Sequence, residues 1–250
     1  MEVIDFTGLV LAAAFGLCGG SFINSCAWRV PRGISIIMPR SMCPACGATL
    51  APHELIPVLS YLFQKGACTR CGTKIGVGYP IIEIISGALA AVFFYAHGFS
   101  FPFFHAFSLS GVFLAVALVD LRHRIIPNAF VVVGLLSALT LAPQVAGINL
   151  EKSVLGALIG GGSFALIRLV YRWLRAREGM GAGDVKLSIL IGAALGFEGW
   201  LRAVMLGSIG GVLAGLYLIR AGRAKTDSHL PYGTYLALAA ITLQLWQVFA

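Results

Sequence analysis

Charge is scarce in this chain. Only 11% of its 250 residues are Asp, Glu, Lys or Arg, where a soluble domain carries roughly 25%. Together with a hydrophobic fraction of 58%, that shortage excludes an ordinary soluble globule and implies a membrane protein. Acids are the scarcer sign, ten against 18 bases. A net charge of +8 would fit nucleic acid in a soluble chain. In a membrane chain it reflects basic loops retained on one side, so no nucleic-acid partner is expected. Strict apolar–polar alternation is missing too, which argues against strands and a membrane barrel. There is no low-complexity tract and no soluble-type repeat. The glycine patches 160–162 and 210–211 follow no strand, which disfavours a nucleotide-binding loop and leaves close helix packing as the expectation. The N-terminus, 1-MEVIDFTG-8, lacks any base, whereas a cleavable signal peptide begins with a basic region. The first apolar run is therefore expected to stay as a membrane helix.

What the chain does have is apolar runs, eight of them, at approximately 7–28, 79–97, 101–120, 126–148, 153–171, 184–200, 202–220 and 231–249. Each is near the roughly 20 residues a bilayer core requires. The expected fold is an all-α polytopic helix bundle of about eight transmembrane helices. A first helix (1–28) would precede a cytosolic insert (29–78), and a bundle would follow over 79–250. With the N-terminus outside, only Lys152 and Arg202 of the 18 Lys and Arg residues fall on the outer side. Bases counted on the inner side include Arg177 and Lys225. Basic loops resist translocation, so this asymmetry fixes the expected orientation.

The insert reads 43-CPACG-47 and 68-CTRCG-72, with 21 residues between the pairs, just beyond the usual spacing of about 15–20. Two such turns present Cys43, Cys46, Cys68 and Cys71 to one tetrahedral Zn²⁺. The glycine after each second cysteine permits the tight turn. A pair of disulfides is the competing reading, disfavoured in a reducing cytosol. Four thiolates leave no open position, so the metal would be structural and would fold an insert short of apolar residues. Cys18 and Cys26 in the first helix are expected to be small apolar filler.

The acids Glu2, Asp5, Glu151, Glu178, Glu198 and Asp227 fall at the outer terminus, in loops or at helix ends facing water, and Glu54 is in the insert. Asp120, Asp184 and Glu83 remain at membrane segments. Asp120 ends the third run. An acid at the negative end of a helix dipole needs compensation, for which Arg122 and Arg124 are candidates. Asp184, in 179-GMGAGDVKL-187, begins the sixth run, where a plain capping role is the bland alternative. With the third helix running inward and the sixth outward, both carboxylates reach the same boundary. Two close carboxylates share a proton, so one can activate water and the other can protonate a carbonyl oxygen and then a leaving amine. Gly179, Gly181 and Gly183 would let an extended substrate backbone approach Asp184. Lys186 is placed to bias the pair. Glu83, one turn into the second helix, is either a functional intramembrane acid or the buried partner of an Arg.

These segments together resemble the prepilin leader peptidases/N-methyltransferases of type IV pilus and type II secretion systems. The resemblance rests on 20-GSFINSCAWRVPRG-33, the cysteine region running into 79-YPIIE-83, 119-VDLRHRIIPN-128, 181-GAGDVK-186 and 230-LPYGTYL-236. It implies Asp120 and Asp184 as catalytic aspartates, the second in the Gly-x-Gly-Asp signature, with Pro127, Gly181, Gly183 and Lys186 in the supporting segments. Many members carry an acid after that proline, where this chain has Asn128. The resemblance further implies prepilin or pseudopilin substrates and cleavage at the cytosolic face of a bacterial inner membrane, with the N-terminus periplasmic. It also implies methylation of the new N-terminus with S-adenosylmethionine; no methyl-donor pocket is recognisable in the sequence, and the insert is the expected location. Rival readings are a proton- or cation-coupled transporter and a non-enzymatic assembly scaffold.

Overall fold

A computed structural model describes residues 5–141, 149–175, 179–223 and 230–249. Glu2, Arg177, Glu178, Lys225 and Asp227 lie outside the described residues, as does the end of the run expected over 126–148. Eight α-helices make up the described fold: α1 (Phe6–Arg29), α2 (Leu59–Phe63), α3 (Gly78–His97), α4 (Phe101–His123), α5 (Asn128–Leu141), α6 (Leu150–Arg175), α7 (Ala182–Arg220) and α8 (Tyr232–Phe249). Among the described residues there is no strand, only two isolated antiparallel bridges. Five helices, α1, α3, α4, α6 and α7, are long and apolar enough to cross a membrane, and α5 is apolar but shorter. The chain divides into two compact units, residues 1–103 and 104–250.

In the first unit α1 packs on α3 through small residues. Gly16 faces the Ser86 carbonyl and Ala90, and Gly20 faces Glu83 and Ile82, so closely that a Cβ at either would collide. Gly8, Ala12, Gly16 and Gly20 are all buried at four-residue spacing. That spacing puts them on one face and lets two backbones approach without lipid between them. Cys26 is buried as expected, but Cys18 is exposed. Position 18 lies off the small-residue face, so its thiol is not core filler.

The second unit is organised around α7. As one straight rod its 39 residues would run about 58 Å, nearly twice a hydrocarbon core. It is not straight. Trp200 Nε1 donates to Ser188 Oγ at 2.7 Å, although twelve residues of straight helix span about 18 Å. The chain therefore folds back between them, and Gly196 (φ 69°, ψ −179°) is where it does so. The two arms, 182–195 and 197–220, correspond to the runs expected over 184–200 and 202–220, but the break comes five residues earlier than the sequence indicated. The Glu198–Arg202 ion pair at 3.7 Å, four residues apart, belongs to the second arm and not to a loop. α6 lies against this hairpin, with Gly156 and Gly192 in backbone contact and Ser188 Oγ donating to Gly160 O at 2.7 Å. Gly160 and Gly161 thus serve close packing, as do Gly210 and Gly211, which meet Tyr235 of α8.

Contacts between side chains set the helix directions. Thr234 bonds Asp120 and Ala117, and Ser110 Oγ donates to Gln244 Oε1 at 2.7 Å. α8 is therefore antiparallel to α4. Lys186 meets Asn128 and Leu190 meets Gly134, so α5 and the first arm of α7 run parallel. The end of α4 and the starts of α5, α7 and α8 accordingly share one end of this unit.

Candidate functional site

Asp120 and Asp184 lie at that shared end. Asp120 is buried, 5% exposed. Its Oδ2 accepts from Thr234 N at 2.6 Å and from Thr234 Oγ1 at 3.0 Å. The first N–H groups of a helix have no intrahelical acceptor and carry partial positive charge. Asp120 meets that need at the first turn of α8, and α8 in turn compensates an acid placed at the wrong end of α4. The compensation expected from Arg122 and Arg124 is thus carried largely by Thr234, with Arg124 within Coulombic range. Arg124 itself takes φ 54° and donates its N–H to Asp120 O at 2.8 Å, a left-handed ending that turns the chain out of α4. Ile126 then folds into the core, 8% exposed.

Asp184 is half-buried in the first turn of α7, its amide donating to Gly181 O at 3.2 Å. It lies within Coulombic range of Asp120, and Tyr232 lies within the same range of Asp184. Tyr232 is oriented by Ser208, 3.0 Å away, and stacks on Phe164 with ring centroids 6.5 Å apart. The first turn of α8 thus serves both acids, Tyr232 near one and Thr234 on the other. Ile126 links them further. A Cβ on Gly183 would meet Ile126 Cβ at 3.2 Å, and one on Gly233 would meet Ile126 Cδ1 at 2.9 Å and Asp120 Oδ2 at 3.0 Å.

The glycines before Asp184 each have a close neighbour. Gly179 packs on Tyr171, Gly181 on the Asp184 carboxylate and Gly183 on Ile126. Lys186 Nζ donates to Asn128 Oδ1 at 2.7 Å, tying α7 to the start of α5. Pro127 precedes α5, and its carbonyl accepts from Val131 N at 3.5 Å. Sequence reasoning missed Gly233, Thr234, Tyr232 and Ile126 as site residues. The signal available was local: Pro231-Tyr-Gly-Thr marks a helix start, and helix starts supply free amide donors to acids.

Cys43, Cys46, Cys68 and Cys71 bring their four Sγ atoms within 4.8 Å of one another, and all are free thiols. Cys43 Sγ lies 3.8 Å from Cys71 Sγ. A disulfide requires about 2.05 Å, whereas a tetrahedron with Zn–S bonds of about 2.3 Å has edges of about 3.8 Å. The donor set fits zinc. Each knuckle repeats one pattern: the first cysteine's carbonyl accepts from Gly47 N or Gly72 N at 2.9 Å, and its amide donates to Ala48 O or Thr73 O at 2.9 Å. Both glycines sit at φ near 70°, as the tight turn demands. The Thr73 hydroxyl and amide hold the Cys71 thiol down at about 6, and the Cys46 and Ala45 amides lower Cys43. A lowered thiol gives up its proton more readily to become the thiolate, the form that binds metal. Glu54 buttresses the second knuckle, accepting from Thr69 Oγ1 at 2.6 Å, Ala51 N at 2.8 Å and Arg70 at 3.1 Å. Those donors, Thr69 first, bring its carboxyl down to about 2.

Glu83 is buried, 8% exposed. Its Oε2 accepts from Val58 N at 2.7 Å. Val58 has φ 61°, costly for a β-branched residue, so Glu83 pins the insert to α3 at a strained turn. The Arg partnership considered for it is not the contact it makes.

A helical membrane protein with two carboxylates gathered at one end of its bundle and a four-thiol cluster in its first unit belongs to a narrow class. Residues 14–97 match the Bacterial Peptidase A24 N-terminal domain, and residues 107–216 match the Type IV leader peptidase family. The chain belongs to the type IV leader peptidase family. It is 36% identical to the prepilin leader peptidase/N-methyltransferase of Myxococcus xanthus over 86% of this chain and 64% of that protein. The Burkholderia pseudomallei protein of the same name is 33% identical, covering 92% of this chain and 84% of that one. The Bacillus subtilis protein is 34% identical, covering 93% and 92%. No solved structure matches the chain.

Proposed function

We propose that Asp120 and Asp184 are the water-activating pair of a membrane aspartic endopeptidase that removes the basic leader from prepilins or pseudopilins. The chain is a prepilin-processing enzyme with N-methyltransferase activity, in keeping with its family and the names of its relatives. The carrying observation is that the first turn of α8 contacts Asp120 directly and has Tyr232 within electrostatic range of Asp184. A water-activating pair works with one carboxyl protonated and the other ionised. The ionised carboxylate takes a proton from water as it attacks the scissile carbonyl. The protonated one donates to the carbonyl oxygen, and the proton taken from water later goes to the leaving amine. Pro127, Gly181, Gly183 and Lys186 act as positioning residues that hold the two acidic segments around Ile126.

The α7 hairpin supports eight spans in all, made by α1, α3, α4, α5, α6, the two arms of α7, and α8. The Lys and Arg distribution supports an N-terminus in the periplasm and both aspartates at the cytosolic face of the inner membrane. Zinc held by the four cysteines is the structural core of the insert over 29–78, and S-adenosylmethionine is the methyl donor. Carboxylates gathered at one end favour peptidase over transporter, since a transported ion needs a mid-membrane site. The test is prepilin cleavage in membranes carrying Asp120→Asn or Asp184→Asn. Each variant is expected to insert normally, keep its zinc and lose cleavage by roughly 10²-fold or more. Substantial cleavage by either would remove the pair from the mechanism.

A further inference from the structure

The close seam between α1 and α3 ends where its small residues end. The next position on that face, four residues beyond Gly20, is Asn24, and there the helices part around a cavity of about 250 Å³ roofed by the insert. Asn24 lines it and is 3% exposed. Its Nδ2 donates to Tyr79 O at 3.0 Å, which fixes the amide, and its Oδ1 is buried with no hydrogen-bond partner. A buried amide oxygen without a donor is costly and calls for a ligand or water to supply one. Trp28, Tyr61 and Tyr79 bring aromatic surface to the same space, and Glu83 and Gln64 bring acceptors.

The charges there disfavour an anion. Arg29 also lines the cavity, but its guanidinium is engaged with the carbonyls of Ser35, Ile36 and Arg40 at 3.0–3.3 Å. Lys74 is exposed. Aromatic faces, carboxylates and an amide oxygen lacking a donor suit a ligand with a cationic centre, a flat ring and an amino group. S-adenosylmethionine has all three, in its sulfonium, its adenine and its exocyclic amine.

We infer that this cavity is the methyl-donor site, with Asn24 accepting from the donor's amino group, Tyr79 covering its sulfonium, and Trp28, whose ring already carries the Arg32 guanidinium 4.8 Å from its centroid, covering its adenine. The inference rests on the N-methylation reading above. The bound donor would supply a methyl group whose bond to sulfur breaks as a bond to the neutral α-amine nitrogen forms. Sulfur keeps the electron pair as the thioether of S-adenosylhomocysteine, and the amine releases a proton.

The experiment is equilibrium binding of radiolabelled S-adenosylmethionine to the purified full-length protein in detergent, followed by ultraviolet crosslinking and peptide mapping. Trp28→Ala and Asn24→Leu are each expected to weaken binding at least tenfold while zinc content is unchanged. Trp28→Phe is expected to retain most of it. The wild-type crosslink, which needs no variant to fold, is expected within residues 21–29 or 76–83. Unchanged binding in the variants, with crosslinks mapping elsewhere, would overturn the cavity as the site and leave methylation standing. Absence of wild-type binding, together with no methyl transfer to a cleaved pilin peptide, would instead overturn the methylation reading. Occupancy by phosphatidylethanolamine in mixed micelles, lost in the same variants and with no donor binding, would make the cavity a lipid site and overturn the inference.

Discussion

Gly233→Ala is the most discriminating single change for the acidic pair. The added Cβ would stand 2.9 Å from Ile126 Cδ1 and 3.0 Å from Asp120 Oδ2, where ordinary contact begins at 3.4 Å. The two neighbours differ in how they give way. Ile126 Cδ1 is the free end of a flexible side chain and moves cheaply. Asp120 is held by two bonds from Thr234, the residue after the substitution, so it must shift by about 0.4 Å or part from those donors. A misplacement of about 1 Å at a reacting group costs roughly 10²-fold. In proportion, 0.4 Å costs about six-fold. Gly233→Ala is therefore expected to lower kcat for prepilin cleavage about five- to tenfold with KM within about twofold, measured with purified enzyme and a full prepilin in mixed micelles. Overpacking also costs about 1–3 kcal/mol of stability, which Ile126→Val should relieve by removing Cδ1. The double variant is expected to regain thermal stability but not kcat. Wild-type kcat in Gly233→Ala, or full recovery of kcat in the double variant, would show that the strain falls on packing alone and that this glycine does not position Asp120.

Three further outcomes are expected. Thr234→Val removes the hydroxyl donor and keeps the amide at 2.6 Å; a neutral-donor bond is worth about 0.5–1.5 kcal/mol, so kcat should fall roughly two- to tenfold, with Thr234→Ser close to wild type. Cys43→Ser is expected to reduce zinc from about one per chain to a small fraction, read by elemental analysis, and to increase proteolysis within residues 41–75; a metal-free preparation that resists proteolysis would contradict a structural role. Glu54→Gln should raise hydrogen exchange at the amides of residues 69–73. Because the Glu54 carboxyl is lowered from 4.5 to about 2, its contribution is complete above pH 4.5 and lost only as pH falls toward 2. The difference from wild type should therefore be constant from neutrality down to about pH 4.5.

Much of the fold was legible because membrane helices declare themselves by uninterrupted apolar length. α1, α3, α4 and α8 begin and end within about three residues of the expected runs. The cysteine knuckles were legible for a different reason. Their geometry is local, set within five residues by Cys-x-x-Cys-Gly, so the spacing carries it. The α7 hairpin was not legible in detail. Gly196 sits inside a continuous apolar stretch, and the charges at Glu198 and Arg202 drew the expected break to position 201, five residues past the observed one. One left-handed glycine reverses the chain, and no periodicity marks which glycine it is. The pinning of Val58 by Glu83 was hidden for the same kind of reason, since backbone strain at a valine leaves no trace in composition.

The acidic pair falls between these cases. Asp120 and Asp184 could be selected from ten acids because an ionisable group at a membrane segment is expensive and needs a reason. That Asp120 stood at the unfavourable end of its helix was also readable, and it signalled a missing partner. Neighbouring arginines were the obvious candidates because they are near in sequence. The partner found, Thr234, is 114 residues away. It lies at the start of α8, beyond the 107–216 segment that carries the family match. A helix C-terminus that ends in an acid calls for a helix N-terminus against it, and antiparallel packing of α8 on α4 supplies one. The carboxylate at the negative end of one dipole is thereby held at the positive end of another, with Tyr232 of the same turn within electrostatic range of the second acid. Three helices therefore meet end to end at the two acids: α4 and α7 bear them, and α8 bonds the first of them through Thr234.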